Sequence, residues 1–421
     1  MNLVLCGDWR VRVDMASAAD NRGARATDLA VTPPPVFSVA GETCGPLPVF
    51  KPASGGWAKG YRLAGIETQE TTAPGLLDPG SLELRASPDT TSPLLQRGRD
   101  YEADLTWGTV GRLEGGALRE GQAAFATYRH SLSRIDAIVD AAGSGILLRE
   151  GSPHAAAPQP PSLMAGETRM GNVWIPGRLA CLTDDNLFPV LEADYPAPPR
   201  RDPVSAASLI PTAYRKLCEG KPVRILAWGD SVTVASYLPE PSAERWQEQF
   251  ARRLRERFPE APIELVTEAW DGHSTGCYLA EPPGSLHHFE EKVLARRPDL
   301  VVSEFVNDSW LSPAQVDKQY GRILDGFRGI GAEWVILTPH YMLPEWMGLS
   351  RQRGIDEDPR PYVKAVRAFA GKNRLALADA SLRWGRLWRQ GVPYMTLMTN
   401  AINHPDARGM RLFADSLMEL F

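Results

Sequence analysis

Long apolar runs and an excess of positive charge are both missing from this sequence. No stretch has the roughly 20 consecutive apolar residues that a membrane-spanning helix requires. The 46 Lys and Arg residues are outnumbered by 51 Asp and Glu residues, so the net charge is −5. A chain without a basic excess is a poor ligand for nucleic acid or for an anionic membrane surface. We therefore expect neither among its partners, whereas composition leaves the oligomeric state open.

Cysteine is scarce as well. The five cysteines form no CxxC pair and no Cys/His cluster with the spacing of a zinc site: Cys6, Cys44, Cys181, Cys218 and Cys277. This pattern predicts free, buried thiols in a reducing compartment and no bound metal. The amino-terminal apolar stretch stops at Cys6, and a charge follows at Asp8, which is not typical of a secretory signal. The expected location is therefore cytoplasmic.

The first 200 residues are rich in glycine, proline, serine and threonine, and they contain short β-like runs. Examples are residues 123–130, 135–139 and 145–149. A proline-rich stretch at 195–203 then marks a boundary. We predict a β-rich, sandwich-like accessory region over residues 1–203 and a second domain over 204–421. A chain beginning near residue 203 is expected to keep activity on a small substrate.

The second region alternates strand-like and helical segments. Residues 242–258 are predicted to form a helix, because Trp246, Phe250, Leu254 and Phe258 recur every four positions, as on one helix face. Strand-like apolar runs occupy five segments, 223–228, 263–270, 299–306, 333–339 and 375–380. Such alternation predicts a parallel sheet covered by helices on both faces.

Polar motifs follow these strands, where the sites of open α/β sheets form. Gly229-Asp230-Ser231 follows the first strand, Asp271-Gly272-His273 the second, and Asn307-Asp308 the third. Asn403-His404-Pro405 then precedes a last helix at 407–420. This ordered set of Ser, Gly, Asn and His resembles the SGNH/GDSL hydrolase family over about residues 205–421. The resemblance implies a three-layer α/β/α, flavodoxin-like domain.

The same resemblance implies catalytic roles for four residues. Ser231 would be the nucleophile and His404 its base, since a serine hydroxyl needs a neighbouring base to take its proton. The backbone N–H groups of Ser231 and Gly272 and the side-chain amide of Asn307 would bind the oxyanion. No cofactor is implied.

The sequence departs from the family at the acid that orients the histidine. That acid stands three residues before the histidine, and here the position is Ala401. Asn400, Asn403 or a backbone carbonyl could orient the ring of His404 instead, or Asp406 could fold back to do so. We favour a Ser–His dyad with a neutral orienting group.

Other side chains allow competing interpretations. Residues 272–276 fit the G-x-S-x-G nucleophile elbow, which would make Ser274 the nucleophile, but the prolines soon after argue against the helix that an elbow needs. His273 and His340 lack a carboxylate at ligand spacing and indicate structural or substrate-contacting roles. Trp310 and Trp346, on loops past strand ends, suit either stacking on substrate or packing at the rim.

The sequence thus predicts a serine esterase acting on short acyl esters, with carbohydrate O-acetyl groups preferred because of the loop tryptophans and the added β-rich region. A general short-chain or lipid esterase is an alternative. A non-catalytic glycan-binding protein is a second alternative, because the family's acid is absent. The expected partner is a small-molecule or glycan ester.

Overall fold

The computed structural model describes residues 1–15, 25–192 and 205–421. They divide into two compact units that are each discontinuous in the chain. The first unit comprises Met1–Ala193, Arg351–Arg353 and Trp388–Ile402, and the second comprises Asp194–Ser350, Gly354–Leu387 and Asn403–Phe421. The boundary predicted between residues 203 and 204 lies outside the described residues.

The first unit is built from four small antiparallel sheets, with strand orders β1-β2-β3, β4-β9-β6, β5-β8-β7 and β11-β10-β12-β13. The strands are β1 Asn2–Gly7, β2 Arg10–Met15, β3 Arg25–Ala30, β4 Phe37–Cys44, β5 Tyr61–Arg62, β6 Glu83–Arg85, β7 Tyr101–Asp104, β8 Thr109–Arg112, β9 Ala124–His130, β10 Arg134–Ala141, β11 Gly145–Arg149, β12 Glu167–Ile175 and β13 Leu187–Pro189. The predicted β-rich region is confirmed.

The late segment Trp388–Ile402 packs within this first unit. The Asn172 Nδ2 donates to the Gly391 carbonyl at 2.6 Å, and the Leu191 N–H donates to the Arg389 carbonyl at 2.7 Å. The Thr71 hydroxyl donates to the Asn400 carbonyl at 2.5 Å in a buried position. Ala401 joins the apolar cluster that contains Leu63 and Tyr128. No sequence pattern had assigned this segment to the β-rich region.

The second unit is built on one parallel sheet, with strand order β15-β14-β16-β17-β18. Its strands are β14 Val223–Gly229, β15 Ile263–Ala269, β16 Leu300–Glu304, β17 Glu333–Leu337 and β18 Ala376–Ala378. Counted along the chain this is the order 2-1-3-4-5 of flavodoxin-like folds. The reversal of strand order lies at β14, whose carboxyl end precedes Ser231.

Helices cover both faces of this sheet. They are α1 Ser205–Leu209, α2 Pro211–Cys218, α3 Ser231–Val234, α4 Pro241–Glu244, α5 Trp246–Arg257, α6 Thr275–Ala280, α7 Phe289–Lys292, α8 Pro313–Ile330, α9 Pro361–Asn373, α10 Ala380–Arg386 and α11 Ala407–Met418. Helices α8 and α9 share an apolar cluster with Leu226 and Trp228 of β14. The alternate residues Ile225 and Ala227 point to the opposite face, where α2 contacts β14 and α5 contacts α11. The three-layer α/β/α prediction is confirmed.

The predicted helix over 242–258 is present, but it is two helices. Arg245, between α4 and α5, has extended backbone, with φ −55° and ψ 145°. Trp246, Phe250 and Leu254 still bury one face of α5, as their spacing predicted.

The cysteine prediction holds only in part. All five cysteines lie in the described residues and are free, but Cys44 alone is buried and Cys218, at the end of α2, is exposed. In the described ranges no helix has the length and apolar composition needed to cross a membrane. Nor do three or more His, Cys, Asp or Glu side chains in those ranges group as metal ligands would.

Candidate active site

Ser231 is the first residue of α3, directly after β14. The preceding Asp230 caps this short helix, since its Oδ1 accepts a hydrogen bond from the Val232 N–H at 3.1 Å. The helix ends after one turn at Ala235, whose φ is +42°. This turn between strand and helix fixes Ser231 at the carboxyl edge of the sheet, with 9% of its surface exposed.

His404 contacts Ser231, although the two residues are 173 positions apart in the sequence. Its Nε2 lies 3.2 Å from the Ser231 Oγ, within hydrogen-bonding distance. The imidazole stacks on Tyr237, with ring centroids 4.5 Å apart and planes 3° from parallel. Burial lowers the pKa of His404 to about 4, against a smaller opposing effect of the Asp271 charge. A ring that is neutral near pH 7 can accept the serine proton.

Gly272 lies in the loop after β15, and β15 is the strand next to β14 in the sheet. Its φ of +72° is in the left-handed region that glycine adopts without strain, and the space where a Cβ would project is open. The Trp270 N–H donates to the Gly229 carbonyl at 3.1 Å, which ties this loop to the end of β14. Trp270 and His273 stack with centroids 3.6 Å apart on either side of Gly272 in the sequence.

Asn307 lies in the loop after β16 and contacts the loop that carries Ser231. Both its backbone N–H and its side-chain Nδ2 donate to the Asp230 Oδ2 at 2.9 Å. A primary amide has two N–H donors, so one remains for another acceptor. Asp230 thus joins the loop after β14, the first loop, to the loop after β16, the third loop. The sequence motifs predict no such role for it.

The neighbouring carboxylate of Asp308 joins the second and third loops. Its Oδ1 accepts from the Thr275 N–H at 3.0 Å, and its Oδ2 accepts from the hydroxyls of Thr275 at 2.8 Å and Tyr320 at 3.0 Å. Burial raises the pKa of Asp308 to about 6, although these donors oppose the shift. The three loops that carry Ser231, Gly272 and Asn307 are therefore connected by two buried carboxyl groups.

The residues considered as orienting groups for His404 have defined contacts of their own. The Asp406 carboxylate caps α11 by accepting from the Arg408 and Gly409 N–H groups, and it pairs with the Arg408 guanidinium at 2.6 Å. The Asn400 Oδ1 accepts from the Ile402 N–H at 2.9 Å. Ala401 has a φ of +56°. Asp406 is thus used as a helix cap.

At Ser274 the structure differs from one expectation. Helix α6 begins directly after this residue, so the nearby prolines do not prevent a helix there. The Ser274 Oγ lies 3.4 Å from the Cys277 Sγ. The serine hydroxyl that His404 contacts is that of Ser231, and this contact favours Ser231 over Ser274 as nucleophile.

Two tryptophans lie on the loops after β16 and β17. Trp310 is 65% exposed, and it meets Trp346 edge to face with centroids 6.2 Å apart. The exposed indole ring of Trp310, with the half-buried ring of Trp346 against it, provides an apolar surface on the loop that carries Asn307.

Solved structures with a similar fold include several hydrolases. Axe2, an acetyl xylan esterase from Geobacillus stearothermophilus, is 19% identical over 47% of this chain and 94% of its own, with a TM-score of 0.38. LAE5, an alpha/beta hydrolase enzyme from the metagenome of Lake Arreo in Spain, is 18% identical over 47% of this chain and 93% of its own, with a TM-score of 0.37. CEX, a two-domain esterase active on acetylated mannans, is 15% identical over 51% of this chain and 52% of its own, with a TM-score of 0.41.

No curated protein sequence matches the chain. The profile of the GDSL-like Lipase/Acylhydrolase family matches residues 227–412, from β14 into α11. This span contains Ser231, Gly272, Asn307 and His404. Residues 227–412 therefore form a GDSL-like lipase/acylhydrolase domain, and the protein is a serine ester hydrolase.

Proposed function

We propose that the protein hydrolyses short acyl esters, and in particular O-acetyl groups on carbohydrate, through an acyl-enzyme on Ser231. The observation that carries the proposal is the 3.2 Å contact between the Ser231 Oγ and the His404 Nε2 in a GDSL-like domain. A neutral imidazole next to a serine hydroxyl is the arrangement that activates the hydroxyl as a nucleophile.

The reaction proceeds in two halves. In the first, the Ser231 Oγ bonds to the ester carbonyl carbon while its proton passes to the His404 Nε2. The tetrahedral intermediate collapses, the bond to the alcohol oxygen breaks, and that oxygen takes the proton from Nε2. In the second half, His404 takes a proton from water as the water oxygen bonds to the acyl carbon. The bond to Oγ then breaks, and Oγ takes the proton back.

The negative charge of the intermediate needs donors that are already in place. We assign these to the backbone N–H groups of Ser231 and Gly272 and to the second N–H of the Asn307 amide. The contacts of Asp230 with Asn307 support this assignment, because they hold the amide while leaving one donor available. The open space beside Gly272 supports close approach of an acyl group.

The carbohydrate part of the proposal is supported by Trp310 and Trp346. A pyranose ring presents C–H groups on its faces, and these pack well against a flat indole. The 65% exposure of Trp310, on the loop that also carries Asn307, offers such a surface. A lipid or general short-chain esterase is the alternative, and it would place an acyl chain on the same rings.

Replacement of the two candidate serines tests the nucleophile. Ser231→Ala is expected to abolish hydrolysis of p-nitrophenyl acetate and labelling by a fluorophosphonate probe, with the fold intact by circular dichroism. Ser274→Ala is the matched control and is expected to keep most of the activity. Labelling of Ser274 would instead favour an α/β-hydrolase elbow. Absence of turnover in the wild-type protein would favour the glycan-binding alternative.

A second experiment tests the substrate class. We expect Trp310→Ala to raise KM for acetylated oligosaccharides by about 2- to 10-fold, and to raise it more than for p-nitrophenyl acetate, because stacking on an aromatic ring contributes about 0.5–1.5 kcal/mol. Trp310→Phe should restore part of the loss. A preference for longer acyl chains in a series of p-nitrophenyl esters, with no activity on acetylated sugars, would support the lipid esterase.

A further inference from the structure

His340, in the loop after β17, contacts the backbone beside the proposed base. It is fully buried, and its Nε2 lies 2.7 Å from the carbonyl oxygen of Asn403, the residue directly before His404. The ring also packs on Trp384 of α10 and Phe413 of α11, with centroid separations of 5.5 and 5.8 Å. His340 therefore lies between the helices that flank this side of the site and the segment 403–406, which we term the histidine loop.

The carbonyl determines which nitrogen of His340 carries the proton. A carbonyl oxygen only accepts hydrogen bonds, so Nε2 must be the donor. Burial, together with the positive charge of Arg360, lowers the pKa of His340 to about 3. The neutral Nε2–H form is therefore the one present near pH 7, and it donates one hydrogen bond to the histidine loop.

A buried ion pair fixes the backbone that carries His340. The Arg360 guanidinium pairs with the Asp358 carboxylate at 2.5 Å, with side-chain exposures of 5% and 0%. The same guanidinium donates to the carbonyl oxygens of His340 at 2.9 Å and Pro339 at 3.3 Å, and to the Ser309 Oγ at 3.2 Å. Because Ser309 follows Asn307 by two residues, the pair holds the third loop and the loop of His340 together.

We propose that His340 is a positioning residue, which holds the histidine loop through the Asn403 carbonyl so that His404 faces Ser231. This inference rests on the proposed role of His404 as base. His340 is too deeply buried to act on substrate, and its donor acts on the backbone next to the base. The Asp358–Arg360 pair holds the backbone of His340 in place through the hydrogen bonds of Arg360 to the carbonyl oxygens of Pro339 and His340.

The test uses two replacements of similar length that differ in their ability to donate. His340→Gln keeps an N–H donor near the position of Nε2, whereas His340→Met removes it. We expect the Met variant to lower kcat for p-nitrophenyl acetate by about 10- to 100-fold with little change in KM, as a slight misplacement of a catalytic group does. The Gln variant should stay within about fivefold of the wild type.

The pH profile gives a second readout. His404 is faced by Ser231 and by Tyr237, which follows α3, and by the charge of Asp271 in the loop after β15. If the histidine loop loosens, His404 gains contact with water, and the acidic limb of kcat/KM should move to higher pH in the Met variant alone. Equal losses in both variants with an unmoved limb would mean that His340 only fills space, and would overturn the proposal.

A measurement on the wild-type protein covers the case in which neither variant folds. Nitrogen-15 NMR of the histidine rings should show one neutral Nε2–H ring whose tautomer persists from pH 7 to pH 5. An Nδ1–H tautomer or a charged ring at His340 would overturn the proposal. Failure of the proposed function is seen separately, as wild-type activity that is absent or survives Ser231→Ala.

Discussion

Asp230 is a single side chain that serves two of the loops at the site. It caps the helix that begins at Ser231, and it accepts both hydrogen bonds from Asn307. Its complete burial raises its pKa, while these donors favour the charged form and oppose that rise. The position of the Asn307 amide is therefore set by the residue next to Ser231.

The role of Asn307 can be tested by truncation. We expect Asn307→Ala to lower kcat by about 100-fold with a small change in KM, because an oxyanion donor matters most as charge develops. Steady-state kinetics on p-nitrophenyl acetate measure both constants. A raised KM with an unchanged kcat would show that the amide binds the substrate and not the transition state.

The pKa of His404 predicts the acidic limit of activity. The base must be neutral, and protonation below its pKa removes it. Since burial lowers that pKa to about 4, kcat/KM should stay level from pH 7 to pH 5 and fall near pH 4. Rates from pH 3.5 to 8 check this, with circular dichroism at each pH as the control. A midpoint near 6.5 would mean that His404 is well hydrated in the active protein.

At the scale of elements, two neighbouring strands end in buried acids. Gly229 of β14 pairs in register with Glu304 of β16, and Asp230 follows directly. Glu304 and Asp230 are both fully buried. Burial, and then the charge of Asp230, raises the pKa of Glu304 well above its ordinary value of 4.5. Of these two neighbouring acids, Glu304 is therefore the one that holds its proton more strongly.

This arrangement predicts how stability depends on pH. A carboxyl group whose pKa is raised on folding contributes stability that is present below its unfolded pKa and is lost as the pH rises through the folded one. Glu304→Gln has no carboxyl group to titrate and so avoids this loss of stability. Above about pH 4.5 the free energy of unfolding of the variant should therefore rise relative to that of the wild type, by at most about 1.4 kcal/mol per pH unit. Thermal melts from pH 5 to 9 measure the difference. Glu256→Gln, on an exposed turn of α5, is the control and should show none.

The elements show what local sequence patterns predict. The five parallel strands and the residues after them follow from short apolar runs and adjacent motifs, because each signal lies within a few residues. Three features were missed: the break at Arg245, the helix directly after Ser274 and the contact of His340 with Asn403. The last depends on partners far apart in the chain, which no local pattern specifies.

At the scale of the whole molecule, the segment Trp388–Ile402 belongs to the compact unit of the β-rich region. Its partners there include Thr71, Asn172 and Leu191, and His404 follows it by two residues. The sequence did not predict that this segment packs with the β-rich region, because the segment lies almost 200 residues beyond that region in the chain. The structure therefore changes the expectation for a chain that lacks this region.

A chain beginning at residue 205 lacks every partner of the segment from residues 1–192. We now expect it to lose at least about 100-fold in kcat on p-nitrophenyl acetate, since a catalytic group that is no longer held in place costs about that much. Thr71→Val in the full chain removes one buried hydrogen bond, and should lower kcat by about fivefold with the fold intact. Full activity of the shortened chain would show that the segment holds its conformation unaided.

The split of the chain between the two units also sets an order of events during synthesis. Ser231 leaves the ribosome 173 residues before His404, which is roughly 9–35 s at about 5–20 residues per second. Until residues 388–402 have been made, the first unit lacks its last segment. Neither unit can therefore finish folding on the ribosome before the other is largely translated. Ser231 therefore has no partner at the position of His404 while these 173 residues are being made.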